Sequence, residues 1–532
     1  MSETQHDYII VGAGSAGAAL AARLTEDPAT SVLLVEAGRA SHPLSRFPIS
    51  FGLLIDNPAA NWRYFSTPEP GTDNRAIPVP RGKLLGGSSS INGLVYVRGQ
   101  PLDFNTWAQM GNRGWSYQDV APLFHRMESY QKGDDGIRGG DGPLHVSEVP
   151  DQSPLFDAIF AAAEHVGHRR NPDYNGEDQE GVVKTQTTIH NGRRMSTSHC
   201  YLDPAKGRAN LRILTEAHTT RVILEGTRCV GIEYERAGRR TVARAGREVI
   251  LCAGAVATPQ LLELSGIGNP DLLAPLGIEA KHALPGVGEN FRDHINARIV
   301  WRVKISELSF NTRLRGLGKL REAFTYLTSG QGFFSLPSAP MLAFLRTRPD
   351  LETPDIQMHL VPYAVKNPKK RQLHDWPGMT MSVYQLRPES LGSIHIRSAN
   401  PHDQPEIRFN FLADPIDQRT MIDGFRMIRA IANAPPLDPY RGEEVSPGAE
   451  VSSDDEILAW IRHNSETAYH PIGTCRMGPQ ANCVVDDQLR VHGLEALRIA
   501  DASIFPTMPS GNTNAPSIMV GEKCADLIRR QG

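Results

Sequence analysis

Two short stretches of this chain hold side chains that could do chemistry. "ETAYHPIGTCRMG" (466–478) places His470 before Pro471 and close to Gly473. An imidazole of ordinary pKa exchanges protons near neutrality. Proline restricts the backbone of the residue before it, and glycine permits a tight turn, so the ring direction can be set locally. On residue type alone, His470 is either a proton acceptor or one of 18 histidines that satisfies a backbone carbonyl. The second stretch is "DYIIVGAGSAGAALAARLTEDPATSVLLVEAG", where Gly12, Gly14 and Gly17 form G-x-G-x-x-G between a strand and a helix. Gly12 allows the turn, Gly14 admits a pyrophosphate to the backbone, and Gly17 lets helix and strand pack closely. The helix amides face the phosphates. Glu36 ends the next strand, 22 residues beyond Gly14, and its carboxylate can accept hydrogen bonds from a ribose. These residues read as a site for an ADP-containing dinucleotide. FAD and NAD share that half.

The elements that must position these groups are spread along the chain. "RGKLLGGSSSINGLVYVRG" (81–99) is a loop of small side chains and free N–H groups, able to lie against a flat ring or a diphosphate. "LRILTEAHTTRVILEGTRCVGIEYE" alternates as hairpin strands do, and "REVILCAG" is a buried strand. "YQKGDDGIRGGDGPLHV" (130–146) reads as a polar surface loop or lid. From about 300 to 460 the pattern becomes successive antiparallel strands, followed by the amphipathic helix "DQRTMIDGFRMIRAIANAP". The expected fold is α/β with α+β: a Rossmann-like nucleotide domain and a cap built on an antiparallel sheet flanked by helices. Residues 1–155, 195–300 and 462–532 are assigned to the first, and 156–194 with 301–461 to the second.

Four blocks resemble, in order, the glucose–methanol–choline (GMC) family of flavin oxidoreductases. They are the N-terminal fingerprint, 81–99, "CAGAVATPQLLELSGIG" (252–268) and "DASIFPTMPSGNTNAPSIMVGEK" (501–523), with "HPIGTCRMG" between the last two. The resemblance implies FAD, with Gly12, Gly14, Ser15, Ala16, Glu36 and Ala37 holding the ADP half and Val222 beside the adenine. It places Trp62, Gly82, Lys83, Gly86, Gly87, Ser89, Asn92, Gly93, Leu94 and Val95 near the diphosphate or flavin. Asp501, Ala502, Asn512 and Asn514 return to the cofactor from the C-terminal block. Some members tether flavin through a histidine preceding the Asn92 position; Ile91 stands there, which implies FAD held without a covalent bond. The resemblance makes His470 the base for the hydroxyl proton and Asn514 its partner, while flavin N5 takes the hydride from the alcohol carbon. Other histidines, His359 and His395 among them, are expected to have surface or packing roles.

Bacterial choline dehydrogenases and their relatives are the branch the blocks favour. Choline members place a glutamate in the segment matching 329–347, and this chain has no acidic residue there. A quaternary ammonium wants a carboxylate or an aromatic cage. Phe333, Phe334, Met341 and Tyr469 are the expected substrate wall, with Leu336, Pro337 and Leu342 adding apolar surface. That suits a neutral aliphatic, aromatic or polyether primary alcohol, oxidised to the aldehyde. Choline oxidation, an oxidase passing electrons to O2, and a non-redox lyase or ligand-binding flavoprotein are the alternatives. The expected partners are the alcohol and an electron acceptor: a quinone, another carrier or O2.

Bulk properties agree with this reading. The 532 residues are too many for one ordinary core. A net charge of −3 without basic tracts gives no footprint for nucleic acid. Six scattered cysteines form no CxxC or Cys/His cluster, so neither a disulfide framework nor a metal site is expected. No basic leader precedes the first strand and no long apolar run occurs. The expected location is the cytoplasm, with a peripheral membrane contact left open.

Overall fold

A computed structural model of the chain describes residues 5–150, 153–367 and 372–530. Apolar strands buried on both faces build its first sheet. Leu211–Leu214, Val32–Val35, His6–Val11, the end of Arg239–Leu251 and Leu497–Ile499 lie side by side and parallel. Arg239–Leu251 serves two roles along its length. Its exposed N-terminal half pairs antiparallel with Arg228–Arg236, which in turn pairs with His218–Glu225; its buried "VIL" end enters the parallel sheet. The stretch expected as hairpin strands is therefore divided. Leu211–Leu214 joins Val32–Val35 in parallel, and only the remainder forms a hairpin.

The alanine-rich helix Ser15–Leu24 is buried along nearly its whole length. Helix Asn514–Arg529 crosses it so closely that a Cβ on Gly521 would stand 2.3 Å from the Ala16 carbonyl oxygen. The last helix of the chain is thereby seated on the first.

The second sheet is antiparallel, in the order Arg441–Ser446, Ile295–Val303, Gly378–Gln385, Ile356–Val361, Met341–Leu345, Gly181–Lys184. Strand parity divides its two faces. Ile295, Ala297, Ile299, Met358, Leu360, Met379 and Met381 enter a core with helices Pro154–His165 and Pro415–Ala432. The alternate residues are mostly polar, Asn296, Arg298, Gln357, His359, Thr380 and Ser382, with Val300 and Val361 among them. Arg298 lies opposite Ser382, and Ser382 opposite His359. This polar face looks toward the carboxyl ends of the parallel strands, and a cavity of about 870 Å³ lies between them.

Residues 130–146 are no lid. Arg138 is fully buried; it donates to Glu128 at 2.9 Å and to Asp173 at 2.9 Å, and lies 4.1 Å over the Tyr130 ring. Glu128 also accepts from buried Arg98 at 2.6 Å. A polar, glycine-rich sequence here wraps around one interior arginine. Arg138→Leu strands part of that cluster and should lower unfolding free energy by about 3 kcal/mol in urea titration, with proteolysis appearing within 130–146.

Candidate active site

His470 leaves strand Glu466–Thr467 through a strained turn. Tyr469 has φ 69°, a left-handed conformation that costs a residue with a Cβ. Its neighbours hold it there: Arg81 Nη2 donates to the Tyr469 carbonyl at 2.7 Å, and the Tyr469 N–H donates to Thr467 Oγ1 at 2.7 Å. Beneath them the buried Asp293 accepts the backbone N–H of His470 (2.8 Å) and of His294 (2.7 Å), and the Thr467 hydroxyl (2.5 Å). Burial pushes the Asp293 carboxyl up to about 6.

The imidazole itself lies in a chain of hydrogen bonds whose direction can be worked out. His294 Nε2 is 2.9 Å from the Leu386 carbonyl oxygen, which only accepts, so Nε2 carries hydrogen. Burial brings the His294 pKa down to about 4, so its ring is neutral and Nδ1 is a lone pair. Nδ1 of His470, 3.0 Å away, must therefore donate to it. Burial, with His294, His359 and Arg81 adding to it, holds the His470 pKa well below the usual 6.5. Its ring too is neutral, and Nε2 is left unprotonated. Asn512 Nδ2 donates to that nitrogen at 2.9 Å. The Asn512 amide is turned this way because Gln357 Nε2 donates to its Oδ1 at 3.2 Å. His470 is thus presented to the cavity as a base.

Asn514 is not the partner of His470. Its Oδ1 accepts the Ser15 hydroxyl at 2.8 Å, because the first turn of its helix lies against the start of Ser15–Leu24. Asn512, in the loop before that helix, is the residue that reaches the imidazole.

The other expected residues divide between the cavity wall and its supports. Gly12, Gly14, Ser15, Ala16, Glu36 and Ala37 line the nucleotide end. Trp62 and Lys83 stand near that end too, the Lys83 amine 4.2 Å from the Trp62 ring and the Trp62 ring 5.5 Å from that of His218. Gly82, Gly87, Asn92, Gly93, Leu94, Val95, Asp501 and Ala502 also line the cavity. Gly86 and Ser89 stand behind it: the Gly86 N–H donates to the Ala13 carbonyl, and the Ser89 hydroxyl to the Gly86 carbonyl at 2.6 Å. Val222 does not reach the cavity; it is 1% exposed on its strand, and Ala217, His218 and Thr219 form the wall instead. Met341 is fully buried on the core face of its sheet, as its parity requires, and Leu342 is buried beside it. Phe333 and Phe334 lie outside the chamber, against Phe310 (5.1 Å) and Tyr326 (6.1 Å). Of the expected substrate wall only Tyr469 lines the cavity.

Three observations fit FAD to this cavity. A Cβ on Gly87 would stand 2.7 Å from Gly14 Cα, so two glycine loops meet with no side chain between them. Glu36, accepting the N–H groups of Ala13 (3.0 Å) and Gly38 (2.8 Å), stands at the nucleotide end, and burial raises its pKa to about 7. Thr219 Oγ1, buried at the same end, has no partner among the described residues.

Sequence reasoning missed several members of the site. His359, expected to have a surface or packing role, lines the chamber and accepts from Gln357 at 3.1 Å, its pKa pulled down to about 3 by burial and by Arg298. His395 keeps a packing role, held between Glu263 (2.7 Å) and Glu289 (3.2 Å). Asp293 and His294 lie in "GENFRDHINA", a stretch with no motif that spacing alone would single out. Arg298 lines the chamber about a third exposed, and donates to Glu466 at 2.9 Å.

The GMC oxidoreductase profile matches residues 6–296 with its N-terminal part and 388–521 with its C-terminal part. The chain is 42% identical to the oxygen-dependent choline dehydrogenase of Escherichia coli K12 over 99% of its own length and 96% of the relative's. Pyridoxine 4-oxidase from Mesorbium loti superposes with a TM-score of 0.89 at 30% identity, covering 99% of each chain. A FAD-dependent oxidoreductase from Chaetomium thermophilum gives 0.91 at 28% identity, again over 99% of each.

Two predictions follow from the hydrogen-bond chain. Asn512→Ala should slow flavin reduction by about 10²–10³ while FAD content stays normal, as expected when one oriented donor is lost; Asn514→Ala should instead loosen FAD, read by flavin released on gel filtration. The second concerns folding stability. His294 and His359 stay neutral down to about 4 and 3, whereas the unfolded chain takes up their protons near 6.5. The unfolded state therefore binds more protons in that window, and stability falls as pH drops through it, by at most about 1.4 kcal/mol per pH unit per histidine. Urea unfolding between about pH 7 and pH 5 reads the slope, which His359→Gln should flatten.

Proposed function

The chain belongs to the GMC oxidoreductase family, and we propose that it oxidises a non-cationic primary alcohol to the aldehyde, using FAD held without a covalent bond. GMC enzymes bind FAD and act on CH–OH donors, and this chain is such an oxidoreductase. The observation that carries the finer reading is the unprotonated Nε2 of the buried His470, with the Asn512 amide donating toward it.

The 81–99 loop would hold the flavin of FAD, which would supply the two-electron acceptor. The protein's own groups handle the proton. An alcohol oxygen seated between Asn512 and His470 accepts the amide N–H and hands its own hydrogen to Nε2. The positive charge gained there is opposed by burial and by Arg81, so the proton is held only while an alkoxide stands beside it. Asp293 keeps the imidazole from swinging away, since it holds the backbone of both histidines. Ile91 on the wall offers no nucleophilic atom to the ring.

Arg298 and Asn296 set the character of the substrate end. Asn296 Oδ1 is buried without a partner among the described residues and can accept from a substrate donor. Arg298 places a cation on the sheet floor, and the pair it forms occupies Glu466, the acidic side chain lining that part of the chamber. A quaternary ammonium would meet a guanidinium and a carboxylate already engaged. Choline remains the second reading, supported by the 42% identical relative and by the aromatic rings of Tyr363 and Tyr469 on the wall. Electrons then leave for a quinone, another carrier or O2.

Anaerobic mixing with benzyl alcohol, hexanol and choline tests the reading. Neutral alcohols should bleach the flavin, with a kcat/KM at least about tenfold above that of choline, and Arg298→Met, which releases Glu466, should narrow the gap by about tenfold. A flavin that no alcohol in the panel reduces would exclude the oxidation itself; a choline rate above the neutral ones would exclude only the substrate class. Oxygen uptake compared with dye reduction separates oxidase from dehydrogenase.

A further inference from the structure

The helix Gly318–Ser329 is built with its polar groups inward and its apolar ones outward. Glu322 is 4% exposed; its Oε1 accepts from Arg313 at 2.7 Å and its Oε2 accepts the Phe333 N–H at 3.0 Å. The Tyr326 hydroxyl donates to the Gly192 carbonyl at 2.8 Å, and its ring packs on Phe47 and Phe334. On the opposite side Leu317, Leu320, Phe324 and Leu327 are 82%, 67%, 68% and 79% exposed. Their spacing of three and four residues puts them on one stripe. Among the described residues only Leu53, at 62%, is another large apolar side chain more than half exposed. A folded chain rarely gathers such residues on one face unless something covers them.

The charges beside the stripe indicate what covers it. Arg315, Lys319 and Arg321 are exposed, and the sole acidic residue between 309 and 330 is the buried Glu322. A second copy of the chain is a poor occupant. Ten residues of helix span about 15 Å, and a stripe one side chain wide falls well short of the roughly 800 Å² per partner of a stable dimer. Two-fold pairing would also bring the same cations face to face. An anionic bilayer meets both features at once: leucine and phenylalanine enter the acyl boundary while lysine and arginine reach lipid phosphates.

We propose that the helix Gly318–Ser329 docks this protein peripherally on an anionic phospholipid bilayer, through Leu317, Leu320, Phe324 and Leu327 with Arg315, Lys319 and Arg321 at the headgroups. No described helix is long and apolar enough to cross a membrane, so the contact lies in the interface. From this helix the chain passes through the turn Phe333–Ser335 to Ser338, which lines the cavity. Docking at this point connects the chamber wall to the lipid surface. Phe333 and Phe334, expected in the substrate wall, instead support the helix from beneath.

Flotation of the FAD-loaded full chain with vesicles decides the matter. The wild type should float with phosphatidylcholine–phosphatidylglycerol vesicles, bind phosphatidylcholine alone about a hundredfold more weakly, and lose most of the difference in high salt. Leu320→Ser/Phe324→Ser/Leu327→Ser should stay with the soluble fraction while keeping its flavin and its dye-linked alcohol turnover. Lys319→Gln/Arg321→Gln should lose only the preference for the anionic lipid. A wild type that floats with neither vesicle would overturn the proposal, as would a triple variant that binds like the wild type. So would light scattering showing a wild-type dimer that the triple substitution converts to monomer.

Discussion

The site depends on one acceptor that cannot donate: the Leu386 carbonyl oxygen. Because it takes the Nε2 hydrogen of His294, every hydrogen after it has a required place, along His294 and His470 to the nitrogen that faces Asn512. From the other side, Gln357 turns the Asn512 amide so that it too presents a donor. Two independent supports, one on each strand end, converge on one lone pair. A base made this way needs no carboxylate beside it. Its basicity is kept low by burial, and its availability at neutral pH follows from that.

The antiparallel sheet makes this arrangement possible by parity. One set of alternate residues packs against helices, and the other brings Asn296, Arg298 and His359 to the same cavity as His470, with Gln357 buried behind Asn512. The pairing register sets Arg298 and His359 in one row, with Gln357 about 7 Å further along its strand. The polar floor of the chamber is therefore set by strand geometry, while His470 and Asn512 reach it from loops. Arg298 holds its charge on that floor, paired with Glu466 at 2.9 Å.

The nucleotide half was legible because its chemistry is local. Glycines whose roles follow from close approach, an acidic residue at a strand end and an alanine-rich helix all sit within the first forty residues, and the cavity is lined by them. The substrate half was not, for two physical reasons. Met341 and Leu342 look equally apolar in the sequence, and only the pairing of their strand says which face each takes. Phe333 and Phe334 could not be told from pocket aromatics until Tyr326 and Phe310 were found against them. The pair Asn512 and Asn514 shows the finest such ambiguity: two asparagines two residues apart, one ending a loop and one opening a helix, point to different ends of the cavity. Asp293 and His294 carry no spacing signature because the partner they share, His470, is more than 170 residues away and the Leu386 carbonyl that orients His294 is 92 residues away.

The seating of the last helix on the first has a consequence for how the enzyme is made. Ser15–Leu24 is packed by Asn514–Arg529, and the parallel sheet gains its Leu497–Ile499 strand from the same distant region. During synthesis the N-terminal dinucleotide cradle leaves the ribosome lacking both, and contacts separated by nearly the whole chain close slowly. The cradle reaches its full packing only once residues 497–529 have been added. In the interval the apolar helix Ser15–Leu24 is exposed, and a nascent chain of this design would need shelter for that time.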